Sequence, residues 1–157
     1  MSNEEFIVSL VSDHGRESAD ENPISIRRTK VPWMIRGGNI PQYDSYELTE
    51  NIDFFSGLLK CSDLIIKDHG SESICPSILG GQENREFVIS QSIYPGQTYK
   101  AIIRDKAFEY EFESIKPVSS NGKIIGDVTF KQNRPLSKLI KDLDELDNIE
   151  KYRKIIE

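Results

Sequence analysis

The chain is short of the residues that most enzymes and metal sites are built from. Among its 157 residues there are two cysteines, Cys61 and Cys75, two histidines and one tryptophan. Two cysteines are too few for a disulfide scaffold and show no metal-ligand spacing, so both read as small buried hydrophobes among apolar neighbours. No apolar run approaches the roughly 18 residues that span a membrane. The start, Met-Ser-Asn-Glu-Glu, lacks the basic region and apolar core of a secretory signal. The expected location is cytoplasmic if the chain is complete as given, and extracytoplasmic if it is an excised receptor domain. Also absent are Gly-X-Ser-X-Gly, a phosphate-binding glycine loop and His-Glu-X-X-His. The expectation is a protein without catalytic residues, metal or cofactor, and not an enzyme.

What is present suits an acidic globular domain: 37% hydrophobic and 29% charged residues, with net charge −6. That balance argues against nucleic-acid binding, which rests on neutralising phosphates. Residues 1–22 hold six acids and one base, followed by Arg27, Arg28, Lys30 and Arg36 with no acid among them. The plainer reading of this basic cluster is a solvated face.

Local pattern then assigns elements. Residues 4–11 fit a helix or a strand equally. Thr49 can cap a helix with Ile52, Phe55, Leu58 and Leu59 on one face. Asp63–Lys67 reads as a strand, Gly80-Gly81 as a hinge, and Arg85–Ile93 as a short helix. Pro135 suits the first turn of a C-terminal helix over 135–157. Its stripe runs Leu136, Leu139, Leu143, Leu146, Ile149, Tyr152 and Ile156. Asp13-His14-Gly15-Arg16-Glu17-Ser18 is echoed at Asp68-His69-Gly70-Ser71-Glu72-Ser73. Two Asp-His pairs can supply four metal ligands if the fold joins them, but Asp-X-Gly is also ordinary turn chemistry.

The strongest pattern spans Tyr99 to Lys131. Phe108, Tyr110 and Phe112 alternate with Glu109, Glu111 and Glu113, the period of a half-buried strand. Ile124, Val128 and Phe130 continue the apolar parity after Ser120-Asn121-Gly122, a three-residue loop with Gly122 left-handed. That loop pairs Val118 with Ile124, Lys116 with Gly126, Ser114 with Val128 and Phe112 with Phe130. The glutamates form a solvated face, with Glu111 opposite Lys131 as an ion pair. This parity also counts against a nuclease, because Glu111 and Glu113 point away from Lys116. Ser114 and Lys116 share the aromatic face, and Gly126 leaves room beside the lysine, as in a small-ligand pocket. The plainer reading is that Lys116 snorkels to water.

The order of elements resembles the Cache sensor domains, PAS-like modules of bacterial chemoreceptors and histidine kinases. Tyr46–Leu59 is similar to the helix before the first sheet strand, and Asp63–Gly70 to that strand and its turn. Gly96–Ala101 and Phe108–Val128 are similar to the central hairpin, with Pro117-Val118 and Gly122–Gly126 matching the family's Pro-Val and Gly-Lys-Val-Ile-Gly runs. The resemblance implies an α+β fold: a PAS/Cache-like antiparallel sheet of about five strands with flanking helices and a C-terminal amphipathic helix. Residues 1–34 would be an N-terminal extension, 35–133 the sensor domain and 134–157 the helix. A small molecule would bind at Tyr99, Arg104, Tyr110, Ser114 and Lys116 and signal through the terminal helix. The alternative is a stand-alone interaction module, with helix 135–157 and the Trp33 region facing a partner or a second copy.

Overall fold

The computed structural model describes residues 6–15, 22–37, 44–61, 83–136 and 146–156, with positions 40, 42, 74, 79 and 81. The fold is mixed α+β, a four-strand antiparallel sheet and a two-strand sheet with few short helices. By internal packing it divides into two compact units: Met1–Glu17 with Arg27–Glu86, and Ser18–Ile26 with Phe87–Glu157. No helix among the described residues is long and apolar enough to cross a membrane.

In the first unit, β1 (Ile7–Val11) pairs antiparallel with β2 (Trp33–Gly37). The ambiguous stretch 4–11 is thus a strand where it is described, as its run of β-branched residues favours. Trp33 donates its indole N–H to Ser9 Oγ at 2.9 Å and stands edge-on to Phe54, ring centroids 5.9 Å apart. A four-residue helix, α1 (Ile26–Thr29), precedes β2.

The helix expected from Thr49 begins later. A π-helical turn, Asp53–Gly57, runs into α2 (Leu58–Cys61), and the N-terminal flank at Ile52 has no side-chain cap. The wider turn shifts the phase of the helix. Ile52 and Phe55, expected on the apolar face, are exposed, whereas Asp53 and Gly57 are buried. Asp53 itself is the organising group. Its Oδ1 accepts from Ile74 N at 2.9 Å and Arg85 Nη2 at 2.5 Å, and its Oδ2 from Glu50 N at 2.9 Å and Arg85 Nε at 2.8 Å. Four donors on one fully buried carboxylate satisfy the condition under which such a charge is tolerated away from water.

The second unit is a meander of β3 (Val88–Ser92), β4 (Thr98–Arg104), β5 (Phe108–Pro117) and β6 (Val128–Pro135), in that order. Arg85–Ile93 was expected to be helical, but Val88–Ser92 pairs with Arg104–Lys100 as a strand. Burial of Ile89 against the sheet core outweighs the weak local helical pattern. The expected hairpin register holds from Phe112 to Ser114, with Phe112 opposite Phe130 and Ser114 opposite Val128. Its loop is the three-residue one: Gly122 N donates to Ser119 O at 2.9 Å, Ser119 N donates to Lys123 O at 3.0 Å, and Gly122 has φ +80°.

Two features lie outside that pattern. A bulge between Glu111 and Phe112 sets Gln132, not Lys131, opposite Glu111. Lys131 instead reaches Glu113 at 3.6 Å, so the expected ion pair is replaced by its neighbour. Pro135 does not open a helix but ends β6 opposite Phe108, on an edge strand where its missing N–H costs no ladder bond. The C-terminal helix α3 covers Leu146–Ile156 and packs on β6. The stripe positions Leu139 and Leu143, the Asp63–Lys67 strand, Gly80, Cys75 and the second Asp-His sequence lie outside the described residues.

The aromatic face as candidate functional site

Parity decides what each face of the four-strand sheet carries. Tyr99, Ala101 and Ile103 of β4, Phe108, Tyr110 and Phe112 of β5 and Val128 of β6 form one buried cluster. Helix α3 closes this face. Tyr152 is buried in the same cluster, with Ile149 and Ile156 packed beside it. Its ring lies 4.9 Å from Tyr110 and 5.4 Å from Phe87, both centroid to centroid and tilted, a favourable aromatic geometry. Its hydroxyl donates to Asp105 Oδ2 at 3.1 Å, while Asp105 Oδ1 accepts from Ala107 N at 2.8 Å and Phe108 N at 2.7 Å. One carboxylate thus shapes the β4–β5 turn and anchors the helix. Lys151 adds its ammonium 5.4 Å from the Tyr152 ring.

Of the five residues expected to line a pocket, three share this face. Tyr99 and Ser114 touch directly: the β4–β5 register slips between Thr98 and Lys100, and the Tyr99 N–H donates to Ser114 Oγ at 3.0 Å. Ser114 in turn donates to Lys116 O at 2.6 Å, so its one donor and one of its two acceptor positions are used in closing the slip. Burial raises the Tyr99 phenol above its usual 10.0, against a smaller lowering by its hydrogen bond with Gln91. Tyr110 is fully buried beneath Tyr152.

The other two stand elsewhere. Lys116 is exposed, and its stem lies over Gly126, where an added Cβ would be 3.7 Å from Lys116 Cδ. The room left by Gly126 is filled by the lysine itself, the outcome expected of a snorkelling side chain. Arg104 is buried on the opposite face. There Nε donates to Glu109 Oε2 at 2.7 Å, Nη1 to Ser90 Oγ at 3.1 Å and Nη2 to Ile24 O at 2.9 Å. Parity alone separates Arg104 from Tyr99 on β4, because they differ by an odd number of residues.

That second face is not simply solvated, as the row of glutamates suggested. Glu109, Glu111 and Glu113 are half-buried. Glu111 accepts from Gln132 Nε2 at 2.5 Å and from Asn22 Nδ2 at 3.5 Å. Glu113 accepts from Thr98 Oγ1 at 2.5 Å, the largest cause of its lowered pKa; Lys100 and Lys131 lower it further while burial opposes them.

Sequence reasoning missed Asp105 as an anchor and did not single out Tyr152 from the stripe. The signal for Asp105 was its place before Lys106-Ala107, an aspartate positioned to bond backbone N–H groups two and three residues on. The Asp13-His14 pair shows the same local chemistry: His14 N donates to Asp13 Oδ1 at 2.8 Å. No group of three or more His, Cys, Asp or Glu suited to a metal occurs among the described residues. No family model, no curated protein and no solved structure matches the chain.

Proposed function

We propose that the chain is a non-enzymatic, PAS/Cache-like sensor in which a small ligand binds the aromatic face and acts on α3. The observation that carries this reading is that Tyr99, Tyr110 and Ser114 lie on the face that the C-terminal helix covers. A ligand entering there stacks on Tyr110 in the position that Tyr152 occupies, and displaces it. Binding and helix release are then two sides of one equilibrium, with the ligand shifting it only by its preference for the open state. The anchor is modest: one phenol–carboxylate hydrogen bond, worth about 1.5–3 kcal/mol when the acceptor is charged, plus ring packing. A ligand of ordinary micromolar affinity, about −8 kcal/mol, has enough free energy to overcome it.

The test is a metabolite screen by thermal shift on the whole chain, followed by titration of any hit into the wild type and Tyr152→Ala. Removing the competing ring is expected to tighten binding. If no ligand class raises the melting temperature, or a hit binds Tyr152→Ala no better than the wild type, competition at this face is wrong.

A further inference from the structure

The two-strand sheet of the first unit poses a separate problem. Phe6, Val8, Leu10 and Met34 are exposed by 64%, 56%, 59% and 57%. Val8, Leu10 and Met34 share one face, because Leu10 stands opposite Met34 and Val8 opposite Arg36. β1 pairs only with β2 among the described residues, so no described strand lies along its other edge. Edge strands are ordinarily guarded by lysine, proline or a bulge. β6 carries all three, with Lys131, Pro135 and the bulge opposite Glu111–Phe112. β1 carries none: residues 6–12 read Phe-Ile-Val-Ser-Leu-Val-Ser, without charge, proline or glycine. A two-strand ribbon is marginal alone and gains from a third strand.

We propose that β1 pairs antiparallel with β1 of a second copy of this chain, giving a four-strand sheet across a two-fold axis. This goes beyond the ligand-binding reading and does not depend on it. Charge selects the occupant. The β2 side carries Arg36 and follows Arg27, Arg28 and Lys30, so two β2 edges would bring like charges together. Two β1 edges are neutral, and a two-fold axis requires a surface complementary to itself. With the axis at Val8, Phe6 stands opposite the second copy's Leu10, and Val8 opposite the second copy's Val8. A single shared five-residue strand is small beside the about 1,200–2,000 Å² of stable interfaces, so the association is a weak one.

Sedimentation equilibrium of the full chain, from low micromolar to several hundred micromolar, is the test. The mass should rise from 18.0 kDa toward twice that value. Because Val8 meets itself, Val8→Lys and Val8→Glu should each weaken the dimer by about tenfold or more, while an equimolar mixture of the two restores it. Both variants should keep the wild-type melting temperature at low micromolar concentration, since Val8 is exposed in the single chain. A chain that stays at single mass throughout overturns the proposal. So does a dimer that Val8→Lys leaves intact, or a mixture that fails to recover.

Discussion

The two faces of the four-strand sheet are built from the same strands and solve different problems. On one, Tyr99, Ile103, Tyr110 and Phe112 meet Tyr152 in a close-packed apolar layer. On the other, Arg104, Glu109, Glu111 and Glu113 are drawn out of water as well, each held by named partners. The apolar face gains from burial directly, at about 25 cal/mol per Å². The polar face must satisfy each buried group or lose stability. Among the described residues the C-terminal helix covers the first face, and the proposed ligand site lies there.

The largest effect should come from the apolar face. Phe112→Ala removes a fully buried ring and should cost about 3–5 kcal/mol in chemical denaturation. A loss under 1 kcal/mol would mean that this layer is not the core. On the polar face, Arg104→Met should cost about 2–4 kcal/mol, because Glu109 is left half-buried without its partner. Adding Glu109→Gln should recover part of that loss, and a purely additive double variant would show that the two do not act as a pair.

Smaller effects separate anchoring from packing. Tyr152→Phe keeps the ring and removes the bond to Asp105, so stability should fall by about 1.5–3 kcal/mol. Amide exchange should rise in α3 far more than in β4 and β5. The smallest effect belongs to Glu113. Its folded-state pKa is lowered, so its contribution is present above its unfolded value near 4.5 and is lost as pH falls through the folded value. Glu113→Gln should therefore flatten the acid limb of the stability profile while leaving the alkaline limb alone. An unchanged acid limb would place the lowered pKa in the unfolded chain as well.

This contrast also explains what could be read from the sequence. The aromatic face follows a strict period of two, and Gly122 fixes the loop, so Phe112–Phe130 and Ser114–Val128 were legible from local pattern. The polar face depends on a bulge and on residues eighty or more positions away, Asn22 and Ile24, and no local period encodes those. The ligand set inherited the same limit. Tyr99, Tyr110 and Ser114 have the parity of the aromatic face, whereas Arg104 falls on the opposite one. Lys116 had the right parity but lies where the hairpin leaves the sheet. Strand β3 and the end of β6 were misread because pairing with β4 and β5, rather than local propensity, decides them.

The most direct test of the shared face is amide exchange over Leu146–Ile156, with and without the compound that gives the largest thermal shift. If the ligand replaces Tyr152 on Tyr110 as proposed, the expected result is faster exchange in α3 together with slower exchange in Tyr99–Arg104. Protection confined to another surface, with α3 unchanged at saturating ligand, would contradict it.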